Sequence, residues 1–187
     1  MRIAVTGGIG SGKSYVCQLL LKHGIKVYDC DEAAKRLMRT SISLQNQLKQ
    51  LIGDDVYINN VLQKAVLAKF LLISEENKLA VDNIVHPAVA LDYLNSDYEW
   101  LESAILFDSG FYKRVDFDRV VCVTAPLSIR VQRMMQRDHI SEEKALEWIR
   151  LQLPQEEMLS RSDCEIVNDG KEDLEKQINI MLNKIYK

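Results

Sequence analysis

The residues best suited to chemistry in this chain are eight consecutive positions, Gly7–Ser14, with the sequence Gly-Gly-Ile-Gly-Ser-Gly-Lys-Ser. They fit the phosphate-binding template G-x-x-x-x-G-K-[ST] at every fixed position. Glycines let main-chain N–H groups crowd around a phosphate, and the helix that follows adds unpaired N–H donors and the positive end of its dipole. Lys13 can then reach the outer phosphates, and the hydroxyl of Ser14 can ligate Mg²⁺. The segment therefore predicts a nucleoside triphosphate site.

Two predicted strands and the helix between them must hold this loop in place. Ile3–Thr6 is an apolar, β-branched run typical of a buried strand, and an apolar helical pattern occupies 13–23, with Gly24 as its stop. Ile25–Tyr28 predicts a second strand. A strand, a crossover helix and a second strand within about thirty residues form a βαβ unit. The sequence therefore predicts a parallel sheet in an α/β fold.

Three aspartates follow predicted strands. Asp29 and Asp31 come after the second strand, and Asp108 comes after the apolar run Ser103–Phe107. Ligands of open parallel sheets bind beyond the carboxyl ends of the strands. Carboxylates there, beside a triphosphate, suit magnesium binding and a base for an attacking hydroxyl. The alternative is that they serve turns, and Asp31 is also well placed to cap the next helix.

The segment 126–161 is rich in arginine. Guanidinium groups suit the negative charge that a phosphoryl group spreads over its oxygens during transfer. Two helices joined near residues 138–140 could act as a lid that brings Arg137 over the phosphates and excludes water. Arg130 and Arg161 are interpreted as solvated surface residues.

His86 precedes Pro87, and proline disfavours helix at the residue before it, so a helix boundary is predicted near His86. His86 is interpreted either as a partly buried residue at that boundary or as a contact for the acceptor substrate. It lies in a long stretch of helical periods between predicted strands, which could form a substrate-binding subdomain.

The rest of the chain alternates strands and helices. Further strands are predicted at 103–107, 119–124 and 165–167, and helices at 127–138, after Ser141 as N-cap, after Pro154 and at 174–185. The predicted organisation is a core of 1–31 with 100–187, in which the lid spans about 126–161, and a helical acceptor-binding subdomain of 32–99.

Composition limits the possible function classes. The 187 residues carry a net charge of −3, which argues against a general nucleic-acid or anionic-membrane surface. The longest apolar stretches are far too short to span a membrane. Because the chain starts Met1-Arg2 and enters a strand at once, a cytoplasmic location is expected. The cysteines form no C-x-x-C pair, which argues against zinc and for reduced thiols, at Cys17, Cys30, Cys122 and Cys164.

Taken together, these motifs resemble the dephospho-coenzyme A kinase family. The shared features are the stretch Val5–Ser14, the D-x-D of Asp29 and Asp31, His86-Pro87, Leu106-Phe107-Asp108, Gln136-Arg137-Asp138, Gln152, Ser162-Asp163 and Ile166–Gly170. They cover nearly the whole chain, in the family's order.

The resemblance implies ATP-dependent phosphorylation of the 3′-hydroxyl of dephospho-coenzyme A, the last step of coenzyme A synthesis, with Mg²⁺ as cofactor. It implies a three-layer P-loop kinase core with five parallel strands, a helical acceptor-binding insertion and a helical lid. No nucleic acid, membrane or obligate protein partner is expected. In the family, the second aspartate of D-x-D is the proposed base, which corresponds to Asp31.

Residues and resemblance together make up the candidate site. The catalytic residues are Lys13, Asp31 and Arg137. The acceptor contacts are Asp31, His86 and Asp108, and the Mg²⁺ ligands are Ser14 and Asp108. The nucleotide is assigned to Gly8, Ile9, Gly10, Ser11, Gly12, Lys13, Ser14, Tyr15, Asn168 and Gly170.

The chain departs from the family pattern at three places. Tyr15 stands where the family usually has Thr or Ser, and we expect only altered packing there. Ala104 and Asp108 replace the usual proline and Glu, and the shorter side chain of Asp108 reduces its reach. The stretch 95–99 is short, which could change the edge of the acceptor subdomain.

Two other functions are alternatives to this one. A nucleoside or nucleotide kinase would share the core, but its usual acceptor signatures are not evident. A GTP-binding switch normally carries N-K-x-D and D-x-x-G motifs, and the sequence contains neither.

Overall fold

The computed structural model describes residues 1–187 and has seven strands and nine α-helices. The strands are β1 (Ile3–Thr6), β2 (Val27–Asp29), β3 (Tyr57–Ile58), β4 (Val61–Leu62), β5 (Trp100–Glu102), β6 (Arg119–Thr124) and β7 (Cys164–Val167). The helices are α1 (Lys13–Lys22), α2 (Cys30–Thr40), α3 (Ile42–Ile52), α4 (Lys64–Leu71), α5 (Glu75–Leu94), α6 (Leu127–Asp138), α7 (Glu142–Arg150), α8 (Gln155–Ser160) and α9 (Leu174–Ile185).

Five strands form the main sheet, in the order β2-β5-β1-β6-β7. The predicted five-stranded parallel sheet of an α/β protein is confirmed. In register, Ile3 of β1 lies between Trp100 of β5 and Arg119 of β6. The central position of β1 matters because the glycine-rich segment Gly7–Ser14 follows it directly.

The sheet is stabilised by a core that α1 and α9 share with it. β1 contributes Ile3 and Val5, α1 contributes Leu20, and α9 contributes Ile178, all of them fully buried. Strands that are covered by helices become continuously apolar, which is why β1 has no alternation of polar and apolar residues. The core therefore holds the start of α1 firmly against the end of β1.

The chain divides into two compact units, residues 1–28 with 98–187 and residues 29–97. In the second unit, α5 packs against α2, α3 and α4. This unit also contains a two-stranded antiparallel hairpin, β3 with β4, which was not predicted. Its two-residue loop, Asn59-Asn60, has positive φ at both positions (50° and 62°), as a type I′ turn requires.

Two element predictions are wrong. The strand predicted at 103–107 is instead β5 at Trp100–Glu102, and turns follow it. Leu106 and Phe107 are buried by packing rather than by pairing, a distinction that a short apolar run does not reveal. The helix boundary predicted near His86 is absent, because α5 continues through Pro87.

Burial explains why α5 tolerates its proline. A proline inside a helix costs about 3 kcal/mol. On either side of Pro87, Val81, Val85 and Val89 repeat every four residues and all are buried. Each contributes roughly 1.5 kcal/mol or more, so their burial outweighs the cost.

All four cysteines are thiols rather than members of disulfides, as expected. Among the helices, none is both long enough and apolar enough to cross a membrane.

Candidate active site

The segment between β1 and α1 forms a tight backbone loop that only glycine fits at two positions. Gly10 has φ 80°, and a Cβ there would come within 2.7 Å of the carbonyl oxygen of Arg130. Gly12 has φ 87° and is the N-cap of α1. Side chains would therefore both strain the loop and push α6 away from it.

The N-terminus of α1 is suited to an anion. No side chain caps the helix, and its first turn contains no acidic residue, so the positive end of its dipole is not neutralised. Lys13 is only 8% exposed at this point, and the neighbouring Ser14 is exposed. The local geometry agrees with the roles predicted for both residues, which remain predictions.

Two arginines of α6 hold the loop from the other side. Arg130 is 5% exposed, and its Nε donates to the carbonyl of Ile9 at 2.9 Å. The interpretation of Arg130 as a solvated surface residue is therefore wrong. Burial lowers the pKa of Arg130 from its usual value, and Glu156 partly opposes that shift.

Arg133 joins the loop to the turn after β7. Its Nη1 donates to the Ser11 carbonyl at 3.1 Å, and its Nη2 donates to the Asn168 carbonyl at 3.0 Å. Asn168 is buried, and its own Nδ2 donates to the same Ser11 carbonyl at 2.9 Å. Two segments more than 150 residues apart, 11 and 168, are thereby joined by one guanidinium and one amide.

Gln152, which follows α7, supplies a further restraint. Its Oε1 accepts the N–H of Ile9 at 2.7 Å. Ile9 also packs against a small apolar cluster of α6 and α7 that includes Val131, Met134 and Ala145. The predicted lid segment thus contacts the glycine loop through side chains from both helices and from the connection after them.

A cavity of about 700 Å³ extends from the loop along α1. Gly12, Tyr15, Leu19 and Lys22 line it on one side, and Arg133, Asn168 and Gly170 on another. The turn at Asn168 is held by Asp169, whose Oδ1 accepts the N–H groups of Lys171 and Glu172 at 2.9 Å each. These bonds lower the pKa of Asp169. The volume suits a small-molecule ligand such as a nucleoside.

The carboxylate predicted at the end of the third strand of the sheet is not where it was expected. Asp108 lies six residues beyond β5, and its Oδ2 accepts the N–H of Leu153 at 2.8 Å. The residue that ends β5 is Glu102, which lies in register with Val5 of β1, next to the start of the glycine loop. Glu102 is not among the residues predicted from the sequence, although the apolar pair Trp100-Leu101 directly before it is typical of a strand end.

Asp29, the last residue of β2, and Asp31 differ in their surroundings. Asp29 caps α2, because its Oδ1 accepts the N–H of Glu32 at 2.9 Å. Asp31 lies in the first turn of that helix and is exposed. The alternative that Asp31 serves as the cap is therefore wrong, and its predicted catalytic role stays a prediction.

Three other predicted residues have clear surroundings but no demonstrated role. His86 is 13% exposed, inside α5, with its Nε2 3.5 Å from Asp82 Oδ1. Arg137 is 62% exposed and donates from Nε and Nη2 to the carboxylate of Asp138, which raises the pKa of Arg137 and lowers that of Asp138. Arg161 pairs with Glu157 on the surface, in agreement with its interpretation as a solvated residue.

Comparison with known proteins agrees with this geometry. A family model described as dephospho-CoA kinase matches residues 1–173. This chain belongs to the dephospho-CoA kinase family. A member of the family from Bacteroides fragilis is 37% identical over 193 residues, which cover all of this chain and 93% of that protein.

Solved structures place the family's fold among related kinases. A crystal structure from Thermus thermophilus superimposes with a TM-score of 0.79 at 33% identity, and the match covers 99% of this chain and 97% of the other. A shikimate kinase from Acinetobacter baumannii has a TM-score of 0.59 at 17% identity and covers 99% and 92% of the two chains. The second likeness concerns the fold alone, and it confirms a P-loop kinase architecture.

Proposed function

We propose that this chain transfers the γ-phosphoryl group of ATP to the 3′-hydroxyl of dephospho-coenzyme A, forming coenzyme A and ADP. The observation that carries the proposal is the loop Gly7–Ser14, held by Arg130 and Arg133, together with a cavity of about 700 Å³ that Gly12 and Arg133 line. The family match over residues 1–173 supports the choice of substrates.

The chain's own groups account for most of the proposed chemistry. Phosphoryl transfer proceeds through a loose transition state, so positioning and charge stabilisation dominate. The loop N–H groups and Lys13 would hold the phosphates. Asp31 would accept the proton of the acceptor hydroxyl or hold its oxygen in line, with His86 and Asp108 as further acceptor contacts. Arg137, which is exposed beside Asp138, would leave that partner to contact the phosphates as the lid closes.

The donors in this structure fit Mg²⁺ bound together with a nucleotide. No group of three His, Cys, Asp or Glu side chains forms a metal cage. Mg²⁺ usually takes one or two protein ligands and fills the rest of its octahedron with phosphate oxygens and water. Ser14 would hold it through its hydroxyl, and a carboxylate ligand would come from Asp108, as predicted, or from Glu102 at the end of β5. When bound, Mg²⁺ neutralises charge on the phosphates.

The cytoplasmic location and the expectation of no nucleic-acid, membrane or obligate protein partner stay predictions of the sequence.

A coupled assay tests the proposed function. ADP release is measured with ATP and dephospho-coenzyme A, then without acceptor, and then with adenosine or AMP as acceptor. In a separate arm GTP replaces ATP, and release of GDP is measured. We expect that, with ATP as donor, ADP is released only when dephospho-coenzyme A is the acceptor. Faster turnover with adenosine or AMP would make the chain a nucleoside or nucleotide kinase, and GTP hydrolysis without acceptor would make it a switch protein.

Lys13→Ala tests the phosphate loop within the same assay. Removing one preorganised charge at a developing anion lowers kcat by about 10²–10³. Lys26→Ala is the matched control, because Lys26 is exposed between α1 and β2. Folded Lys13→Ala protein that turns over as fast as the Lys26→Ala control would refute the loop assignment.

A further inference from the structure

Tyr15 is an exposed aromatic residue next to the glycine loop. It follows Lys13-Ser14 directly, in the first turn of α1, and 53% of it is exposed. About half of the residue is exposed, and it is not one of the buried core residues. Its hydroxyl makes no hydrogen bond within the protein. A large aromatic ring exposed beside a phosphate loop calls for an explanation in terms of a ligand.

The cavity beside the loop supplies that explanation. Gly12, Tyr15, Leu19 and Lys22 are spaced by three or four residues, so they form one stripe along α1, and all four line the cavity. Leu19 is 4% exposed and belongs to the core, which leaves Tyr15 as the exposed ring on this wall. The stripe from Tyr15 to Lys22 rises about 10 Å along the helix, leading away from the phosphate end.

A guanidinium lies on another wall of the same cavity. Arg133 is held there by the carbonyls of Ser11 and Asn168, and its Nη1 would lie 3.5 Å from a Cβ placed on Gly12. An aromatic ring and a guanidinium plane are both surfaces on which a nucleobase stacks. The phosphate end of the cavity is at Gly12, and the ring of Tyr15 begins one helical turn further along.

We propose that the ring of Tyr15 is a binding wall for the nucleoside part of ATP, packing on its ribose and base while the loop binds its phosphates. This inference rests on the proposed function. It gives Tyr15 a part in nucleotide affinity that depends on the ring and not on the hydroxyl. The contact is made equally before and during transfer, so it affects ATP binding rather than the rate of the bound complex.

The test compares ATP with inorganic tripolyphosphate, which has the phosphates but no nucleoside. Their dissociation constants are measured by calorimetry at one Mg²⁺ concentration for the wild type, Tyr15→Ala, Tyr15→Phe and Leu21→Ala. Leu21 is the matched control, because it is a large apolar residue of α1, is 60% exposed and does not line the cavity. Any general effect of an alanine in α1 appears in this control.

Loss of the ring is expected to weaken ATP binding by about 5- to 20-fold in Tyr15→Ala, the lower part of the range for a stacked base. Tyr15→Phe and Leu21→Ala are expected to bind ATP as the wild type does, and tripolyphosphate binding is expected to be the same in all four proteins.

Two results would overturn the inference while leaving the proposed function intact. One is a Tyr15→Ala protein that binds ATP like the Leu21→Ala control. The other is equal weakening of ATP and tripolyphosphate, which would mean that the substitution deforms the phosphate loop. A wild-type protein that binds no ATP at all would overturn both the inference and the proposed function.

Discussion

Replacing Arg133 with alanine should weaken the connection between the glycine loop and the turn at Asn168. The guanidinium donates at 3.1 Å to the Ser11 carbonyl and at 3.0 and 3.2 Å to the carbonyl and Oδ1 of Asn168. A hydrogen bond that involves a charged group contributes about 1.5–3 kcal/mol. Water can reach part of this site, and the amide of Asn168 still donates to Ser11 in the variant. We therefore expect a loss of about 2–3 kcal/mol in the free energy of unfolding, below the full sum of the bonds.

That loss has a thermal and a kinetic consequence. For a chain of this size, each kcal/mol lowers Tm by about 2–4 °C, so Arg133→Ala should melt roughly 4–12 °C below the wild type. Because Arg133 also lines the cavity, the KM for ATP should rise. Arg133→Lys keeps the charge but lacks the planar guanidinium that donates to Ser11 and Asn168 together. Its Tm should therefore lie between those of Arg133→Ala and the wild type.

The assay is a melting curve by circular dichroism together with the coupled kinase assay. Arg150→Ala serves as the control, because Arg150 is an exposed arginine at the end of α7. The reasoning would be refuted if Arg133→Ala melted within about 1 °C of Arg150→Ala, a difference smaller than 1 kcal/mol produces.

Three further predictions concern the proposed chemistry and one thiol. Asp31→Asn should lower kcat by about 10²–10⁴ with Tm unchanged, since Asp29 is the helix cap; a near-normal kcat would end the proposed role of Asp31. Magnesium titrations of Glu102→Gln and Asp108→Asn should identify the carboxylate ligand, because the variant that has lost it needs more Mg²⁺ for its half-maximal rate. If neither variant needs more Mg²⁺ than the wild type, neither carboxylate is a ligand. Burial raises the pKa of Cys122 to about 11, so at pH 8 iodoacetamide should label the half-buried Cys17 and Cys164 in the native protein and Cys122 only after unfolding, as followed by mass spectrometry.

The sign of the Cys122 effect follows from its raised pKa. The folded state favours the neutral thiol, so the stability it contributes is complete below the usual thiol pKa of 9.0. That contribution is lost as the pH rises toward about 11. Rapid labelling of Cys122 in the native protein at pH 8 would contradict the burial seen in the structure.

Local patterns were sufficient for much of the fold. The strand β1, the glycine loop and the start of α1 are adjacent in the chain, so residue types alone specified them. The helices α6 and α9 were predicted at their observed bounds, 127–138 and 174–185, because each has an apolar stripe and clear end signals. Ser141 does cap α7, accepting the N–H of Lys144. Such features depend on interactions within a few residues.

Only the tertiary structure decided which groups surround the loop. Arg130 and Arg133 contact carbonyls more than 120 residues away, and nothing local distinguishes them from the solvated Arg161. Pairing with β1 determines where β5 ends, and Glu102 rather than Asp108 is therefore the residue at the carboxyl end of that strand. Likewise α5 runs through Pro87 because its valines are buried against other helices. In each case the deciding free energy comes from contacts between residues that are distant in the chain. A local sequence pattern does not specify which distant residues will be in contact.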